Sequence, residues 1–444
     1  MARLAGVAPG EATHHLLFLA GRALTVLMAL ATLRLAFLTA RECGSRGAGR
    51  LAAWSWLAVL PQVYYAKSMN LDAPYLLWSA LALLAFVRLR REPTVAHGLA
   101  FGGATAAALL TKDQAFGLFL LPGLLLLVES VRRSRASGRI DRALPAAVAV
   151  ALAAAAVSYR LFGGTGLLVR HLDELLAHPA TFGFTAPGLG TPLGLLGLTG
   201  RHLAWSFGLP LVLLVAAAIV HGIGREWRGS REGARPLTVL LLFPLSYLLA
   251  TLLPLGYQYD RFLLPVLYVL VVAAAAAGDR WLGERPSRRL RAALTVALGL
   301  AIGWGVARAV AVDAAMIGDR RVAVERETRG TRRLAIFRHE VRPPQRFDRF
   351  RVEHGGAIPP ARLDPYPVVV IPAADLGERA LSTLATELRG GLCGFRPARP
   401  DLARPSPLRS FPGFRGVLSN LDEIDPPLLL FVREPPLAPC GTGS

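Results

Sequence analysis

The sequence has 444 residues, of which 53% are hydrophobic, and a formal net charge of +20. Its length allows two or three domains. The hydrophobic residues are clustered in segments of about 20, each long enough to cross ~30 Å of hydrocarbon as a helix. These segments recur up to residue 311 and then stop. This pattern excludes a wholly water-soluble protein and indicates a polytopic membrane protein with a polar tail.

Ten candidate membrane-spanning segments follow one another in the first part of the chain. They are residues 14–40, 51–66, 75–90, 95–111, 115–131, 143–158, 202–223, 236–255, 262–277 and 292–311. We therefore predict an all-α transmembrane domain of about ten spans over residues 1–312. A small extracytoplasmic α/β domain is predicted over residues 313–444.

The connections between these segments alternate in charge. One set holds 20 arginines, and the opposite set holds six basic residues. The arginine-rich set is 41–50, 88–91, 132–142, 225–235 and 279–291, and the opposite set is 67–74, 112–114, 159–201 and 256–261. Cytoplasmic loops carry the excess of Lys and Arg, so the first set is predicted inside, and the second set and the tail outside. This distribution accounts for the positive charge without a nucleic-acid partner.

The predicted topology places the start of the first span on the outer side of the membrane. The stretch before it, MARLAGVAPGEATHH, resembles neither a signal peptide nor a helix. We therefore expect that an earlier helix and its loop are missing from the chain as written. The alternative is a protein inserted with its N-terminus outside.

Polar residues collect at the predicted outer ends of the spans, where charges are costly unless they face a cavity or serve a function. They are Lys67, Asn70 and Asp72 in YYAKSMNLDAPYLLW; Lys112, Asp113 and Gln114 in LLTKDQAFGLF; Arg170, His171, Asp173 and Glu174 in LLVRHLDELLAHP; and Tyr257, Tyr259, Asp260 and Arg261 in LLPLGYQYDRFLLPVLYVL. Lys112 is one of two lysines in the chain, and Asp113 and Gln114 are expected to help hold it. Taken singly, each residue also fits a structural role, as an interface lysine, an aromatic-belt anchor, a local ion pair or an amphipathic surface helix.

Cations mixed with carboxylates on one side of a membrane suit the transfer of a group from a lipid phosphate. The cations would take up the charge that develops on the leaving phosphate. A carboxylate would deprotonate the incoming hydroxyl. Membrane spans would provide a groove for the lipid tail.

Four stretches resemble the GT-C integral-membrane glycosyltransferases of the dolichyl-phosphate-mannose–protein mannosyltransferase superfamily. They are AGRALTVLMALATLRLAFLTAREC, YYAKSMNLDAPYLLWSALALLAFVRLRR, LAFGGATAAALLTKDQAFGLFLLP and YDRFLLPVLYVL, within residues 16–311. Bacterial relatives include the lipid A aminoarabinose transferases and Rgt-type lipopolysaccharide glycosyltransferases. The resemblance implies a polyprenyl-phosphate-linked sugar donor, inversion at the anomeric carbon, and transfer on the extracytoplasmic face of the bacterial inner membrane.

The resemblance also implies roles for individual residues. Lys112 and Arg261, together with Arg170, are expected to bind the donor phosphate, and Asp72 matches an acidic position that organises the cavity. The residues expected to line this cavity are Asn70, Gln114, Tyr257, Tyr259 and Asp260. Relatives carry their presumed base in an acidic first outer loop, whereas Glu11 is the only acidic residue before His14. Asp72 and Asp113 are therefore the candidate catalytic carboxylates.

The tail contains two strand-like runs, YPVVVIP and PPLLLFVRE, around the helical pattern LGERALSTLATEL. Cys393 and Cys440 lie in this tail and could form a disulfide in an oxidising compartment. The sequence shows no metal-ligand cluster, and use of a divalent metal stays open.

Three functions are compatible with the sequence. The leading one is a glycosyltransferase whose acceptor is a protein hydroxyl, lipid A or another glycan. The second is an inactive remnant that lacks its first helix and base. The third is a lipid or polysaccharide transporter, which the sequence favours least because transporters usually have internal repeats and charges near the bilayer midplane.

Overall fold

The computed structural model describes residues 11–68, 70–162, 166, 169–170, 191–229, 236–255, 258–283, 287–317, 334–337, 349–350, 363, 366–372, 379–399 and 428–433. The chain folds into two compact units, Met1–Ala309 and Val310–Ser444.

Apolar helices build the first unit. Those described, labelled in chain order, are α1 (Glu11–Cys43), α2 (Arg46–Leu57), α3 (Leu60–Tyr65), α4 (Asp72–Arg91), α5 (Val95–Thr111), α6 (Ala115–Ser137), α7 (Ala143–Phe162), α8 (Pro192–Phe207), α9 (Leu209–Gly229), α10 (Pro236–Tyr247), α11 (Leu264–Gly283) and α12 (Arg288–Ile317). Helix α10 continues through a π-helical turn to Leu255. A short 3₁₀ turn, Asp260–Leu263, leads into α11. The last helix, α12, extends beyond the boundary of the unit.

Eight helices in the described part of the chain are long and apolar enough to cross a membrane, which confirms the predicted polytopic helical architecture. They are Leu19–Cys43, Asp72–Arg91, Ala115–Ser137, Ala143–Leu161, Leu209–Arg228, Pro236–Leu255, Asp260–Gly283 and Arg288–Met316. A ninth apolar helix, α5, has 17 residues.

Two of the ten predicted spans are wrong as continuous helices. Within the second predicted span, residues 51–66, α2 ends at Leu57 and α3 begins at Leu60, with Pro61 in the first turn of α3. Proline has no N–H to donate, and its ring clashes with the carbonyl four residues earlier, so it stops α2 at this point. Within the seventh predicted span, residues 202–223, Gly208 separates α8 from α9. Its φ is +73°, a conformation that favours glycine.

Helix α5 packs between α4 and α7 through small residues. A Cβ atom added to Gly98 would lie 2.1 Å from the carbonyl oxygen of Ala143. One added to Gly102 would lie 2.1 Å from the carbonyl oxygen of Ala147. Gly98 and Gly102 are four residues apart on α5, and Ala143 and Ala147 are four residues apart on α7. This is the small-xxx-small pattern with which membrane helices bring their backbones together. The two backbones therefore touch along this face.

Aromatic rings connect four of the helices in the interior of this unit. Phe86 of α4 meets Phe243 of α10 edge to face at a centroid distance of 4.9 Å. Phe119 of α6 meets Phe243 at 6.0 Å and Phe101 of α5 at 6.2 Å. Edge-to-face pairs at these distances contribute about 0.5–1.5 kcal/mol beyond their burial. The packing thus fixes α4, α5, α6 and α10 relative to one another.

The helices carry different charges at their two ends. At one end, called here the arginine end, Glu42 pairs with Arg91 at 2.7 Å and Arg90 pairs with Glu129 at 2.6 Å. Arg280 of α11 donates a hydrogen bond to the carbonyl of Cys43 at this same end. Asp72 begins α4 at its other end, and because this helix has 20 residues, about 30 Å separates the two ends.

The second unit contains a five-stranded sheet in the order β2-β1-β3-β5-β4. Its strands are β1 (Leu334–Phe337), β2 (Arg349–Phe350), β3 (Val368–Pro372), β4 (Phe395–Pro397) and β5 (Leu428–Arg433). β3 pairs in parallel with β1 and antiparallel with β5. Helix α13 (Arg379–Arg389) buries Leu381, Leu384 and Leu388 in the same apolar core as Val369 and Phe431.

This sheet confirms the predicted small α/β fold, in which β3, α13 and β5 were expected. The other three strands have only two to four residues each. Runs that short show no measurable alternation. Cys393 is disulfide-bonded. Its predicted partner Cys440 lies outside the described residues.

A test of the α5–α7 contact compares two adjacent glycines. We expect Gly102→Ala to lower the free energy of unfolding by ~1–3 kcal/mol, because the new methyl group would collide with the backbone of α7. Gly103→Ala is the matched control, since its Cβ would meet nothing within 4 Å. Thermal unfolding in detergent measures both variants. Equal losses of stability at the two positions would contradict the close backbone contact.

Candidate active site

The partner of Lys112 is a carboxylate forty residues earlier in the chain. Lys112 caps the C-terminus of α5, and a short turn leads from it to α6. Its Nζ donates to Oδ1 of Asp72 at 2.6 Å. Asp72, the first residue of α4, is only 3% exposed. The ion pair therefore joins the start of α4 to the turn between α5 and α6.

Two aromatic rings complete the surroundings of the Lys112 ammonium group. Its Nζ lies 5.1 Å from the ring centroid of Phe262 and 5.5 Å from that of Tyr75. Burial lowers the pKa of Lys112, and the Asp72 carboxylate counteracts part of this shift. The side chain keeps 19% of its surface exposed. A desolvated cation with one accessible side interacts with an anionic ligand more strongly than a cation in water does.

A second carboxylate and a second cation lie beside this pair. Asp260, 1% exposed, accepts a hydrogen bond from the Tyr65 hydroxyl at 3.0 Å. The Arg261 guanidinium lies 6.0 Å from the ring centroid of Phe262, which Lys112 also contacts. The Nε atom of Arg261 is buried and makes no hydrogen bond within the described structure. Asp72, Lys112, Asp260 and Arg261 are called the charged cluster below.

The cluster lies at the end of the helices opposite to the arginine end. Asp72 begins α4, and Asp260 and Arg261 precede α11, whereas Arg91 and Arg280 lie in the last turns of these two helices. The structure therefore brings together four of the residues that the sequence placed on the outer side.

Other predicted site residues surround this cluster or lie apart from it. Asn70 accepts a hydrogen bond from the backbone N–H of Asp72 at 3.1 Å. The amide oxygen of Gln114 accepts from the Tyr247 hydroxyl at 3.4 Å, so Gln114 connects α6 to α10. Asp113 is half-buried in the turn beside Lys112. The hydrogen-bond partner that the structure gives Lys112 is Asp72. That Asp113 and Gln114 help hold Lys112 stays a prediction.

Three of the remaining residues have a described position, and of these Lys67 is half-buried in the turn after α3. Tyr259 stacks on Arg261, whose guanidinium carbon lies 5.4 Å from its ring centroid. Arg170 is exposed, unlike the members of the charged cluster. Tyr257, His171, Asp173 and Glu174 lie outside the described residues.

Sequence reasoning missed three aromatic members of the site. Tyr65, Tyr75 and Phe262 each contact a charged residue of the cluster. In an apolar helix, such residues resemble membrane anchors. Their position within a few residues of Lys67, Asp72 and Arg261 was the available signal.

Among the residues that the structure describes, no group of three or more His, Cys, Asp and Glu side chains could hold a metal ion. The two carboxylates of the charged cluster are each engaged, Asp72 by Lys112 and Asp260 by Tyr65.

No family model and no curated protein matches the chain. Among solved structures, it is similar to ArnT from Cupriavidus metallidurans in the apo state, with a TM-score of 0.43 and 18% identity, over 69% of this chain and 57% of ArnT. It is also similar to the Archaeoglobus fulgidus oligosaccharyltransferase in complex with Zn and sulfate, with a TM-score of 0.40 and 14% identity, over 87% of this chain and 59% of that one.

A second structure of that oligosaccharyltransferase, tethered to an acceptor peptide containing the NVT sequon, gives a TM-score of 0.40 at 13% identity, over 87% of this chain and 61% of that one. The chain thus spans about three fifths of the length of each similar protein. ArnT and the oligosaccharyltransferase are both GT-C glycosyltransferases, the class that the sequence motifs resemble.

A stability measurement tests the buried ion pair. We expect Lys112→Met to lower the free energy of unfolding by ~3–5 kcal/mol, because it leaves the Asp72 carboxylate buried and unpaired. The double variant Lys112→Met/Asp72→Asn should regain most of this loss. Thermal unfolding in detergent measures the variants.

Arg91→Met is the control for this experiment. Arg91 is 61% exposed and pairs with Glu42 at 2.7 Å. The loss of an exposed pair should cost at most ~1 kcal/mol. If Lys112→Met and Arg91→Met lose the same stability, the Lys112–Asp72 pair is not buried as described.

Proposed function

We propose that the protein is a GT-C-type glycosyltransferase, which moves a sugar from a polyprenyl-phosphate-linked donor to an acceptor hydroxyl with inversion at the anomeric carbon. The observation that carries the proposal is the position of two cations, Lys112 and Arg261, against one Phe262 ring. The buried carboxylates Asp72 and Asp260 lie beside the two cations and offset the repulsion between them.

The two cations suit a phosphate that sits at the membrane surface. Lysine acts on it as a compact charge, and arginine offers parallel N–H groups to two phosphate oxygens. Nε of Arg261, which makes no hydrogen bond to the residues that the structure describes, is one donor that a phosphate oxygen would satisfy. Since the cations are partly withdrawn from water, they would stabilise the charge of a departing phosphate more than exposed cations would.

The proposed reaction breaks one bond and forms one. The acceptor oxygen attacks the anomeric carbon, the bond from that carbon to the phosphate oxygen breaks, and the phosphate takes the electron pair. The acceptor proton passes to a carboxylate. Asp72 is committed to Lys112 at 2.6 Å, which suits it to position the cation. Asp113, half-buried in the adjoining turn, is the proposed base of this chain.

Side chains next to the cluster would shape the cavity for the sugar. We propose this role for Asn70, Gln114, Tyr259 and Asp260, with Tyr65 as the group that holds Asp260 in place. The proposed acceptor is a protein hydroxyl, lipid A or another glycan.

The distribution of arginines supports an orientation for the reaction. The arginine end carries the excess of positive charge that is typical of cytoplasmic loops. The charged cluster is at the opposite end, so we propose that transfer occurs on the extracytoplasmic face of a bacterial inner membrane. The second unit is proposed to lie on that face as well.

Transfer of a labelled sugar tests this function. Membranes containing the protein would receive a polyprenyl-phosphate donor with a radiolabelled sugar, and the release of polyprenyl phosphate and labelled acceptor would be counted. We expect Lys112→Ala to abolish transfer without preventing membrane insertion. The double variant Lys112→Met/Asp72→Asn, expected to regain most of the stability, should lose transfer by ~10²–10³-fold, the effect of removing one cation that stabilises charge in a transition state.

The control removes a partly buried ion pair at the arginine end. Arg90 of α4 and Glu129 of α6 pair at 2.6 Å, and their side chains are 16% and 23% exposed. Arg90→Met/Glu129→Gln should keep transfer within a few-fold of the wild type. Unchanged transfer in the Lys112 variants would overturn the assignment. A wild-type protein that binds the donor without turnover would favour the inactive remnant, and net movement of the intact lipid would favour the transporter.

A further inference from the structure

An apolar groove lies between α2, α9, α11 and α12, toward the arginine end of the first unit. Its walls include Leu51 of α2, Ala218 of α9, Ala275 and Trp281 of α11, and Leu294 and Leu298 of α12. Small residues on α9 and α11 leave room for a narrow ligand along these helices. The groove extends from Leu211 and Val271 toward the arginine end, whereas the charged cluster lies at the start of α4 and α11.

Helix α12 meets this groove through two leucines along residues 288–300. Of residues 288–300, only Leu294 and Leu298 are partly buried, and the rest are exposed. These two leucines are four residues apart, so they share one helix face and form the outer wall of the groove. The outer wall of the groove is therefore one helix face with two partly buried leucines, and the rest of this segment of α12 is exposed.

Arginines lie where the groove meets the arginine end. Arg291 is exposed and precedes Leu294 by three residues, so it continues the same face of α12 by one turn. Arg225, also exposed, follows Ala218 by seven residues and continues the groove-lining face of α9. The stacking of His221, also on α9, against Trp281 at 4.7 Å places this part of α9 beside the groove.

Two carboxylates near this end, among the residues that the structure describes, accept hydrogen bonds from other groups. Glu226 accepts from the backbone N–H groups of Leu237 and Thr238 at 2.7 and 3.0 Å. Asp279 accepts from the Ser45 hydroxyl at 2.6 Å. At the arginine end, the apolar groove therefore adjoins two exposed arginines, Arg225 and Arg291, and Trp281. These features suit an anionic amphiphile.

We infer that this groove binds an anionic phospholipid, with one acyl chain between α12 and α11 and the phosphate group at Arg225 and Arg291. The lipid would come from the membrane leaflet at the arginine end. A donor phosphate at the charged cluster would lie about 30 Å away along the helices. The bound phospholipid is thus a separate ligand, and the inference does not depend on the proposed transfer reaction.

Quenching of Trp281 fluorescence tests this site. The full-length protein would be reconstituted in phosphatidylcholine bilayers and titrated with phosphatidylglycerol that carries brominated acyl chains. The signal of Trp281 is the difference between the wild type and Trp281→Phe, with Trp281→Tyr as a second reference. We expect brominated phosphatidylglycerol to quench this signal at a lower mole fraction than brominated phosphatidylcholine does.

Charge variants on α9 and α12 provide the controls. Arg225→Gln and Arg291→Gln should each raise about fivefold the mole fraction of brominated phosphatidylglycerol that is needed to quench Trp281. The reason is that each variant removes an arginine near the phosphate. Arg289→Gln removes the same charge two residues from Arg291, on another face of α12, and should change nothing. Equal quenching by the two lipids, or equal effects of all three variants, would overturn the inference. Displacement of the brominated lipid by polyprenyl phosphate would assign the groove to the donor instead.

Discussion

A lysine within an apolar run must have a partner for its charge, because an isolated ammonium group costs several kcal/mol to remove from water. Asp72 is this partner, since its Oδ1 lies 2.6 Å from Nζ of Lys112. The pair then determines the positions of its neighbours: the start of α4 is held against the turn between α5 and α6, and Phe262 lies over the ammonium group. Since Asp260 and Arg261 directly precede Phe262, this contact brings the second carboxylate and cation to the same place.

The same helices are connected differently at their other end. Arg90 and Glu129 join α4 to α6 there, and Glu42 joins α1 to α4 through Arg91. Between the two ends the phenylalanine cluster and the small residues of α5 and α11 make apolar contacts, and Ser246 adds a buried hydrogen bond to the carbonyl of Gly117. Ion pairs at both ends with an apolar middle give the first unit a defined polarity. The charged cluster lies at one end of it, and the apolar groove extends from its middle toward the other end.

Composition and the positions of arginine were enough to predict a polytopic helical unit followed by a small α/β unit. The errors occurred where one backbone position overrides hydrophobicity, at Pro61 and at Gly208. The sequence also placed Asp72, Lys112, Asp260 and Arg261 on one side, and the structure brings them together. It could not identify their partners, because Tyr65 and Asp260 are 195 residues apart and such contacts depend on the tertiary fold. The roles of these residues in transfer stay predictions.

The measurement that tests the central claim most directly is an electron cryo-microscopy structure of the protein with a polyprenyl-phosphate sugar bound. The account predicts the phosphate within hydrogen-bonding distance of Lys112 Nζ and of the Arg261 guanidinium, with the Lys112–Asp72 pair intact. It also predicts the anomeric carbon on the side of Asp113. A phosphate bound at the arginine end, or one that contacts neither cation, would contradict the account.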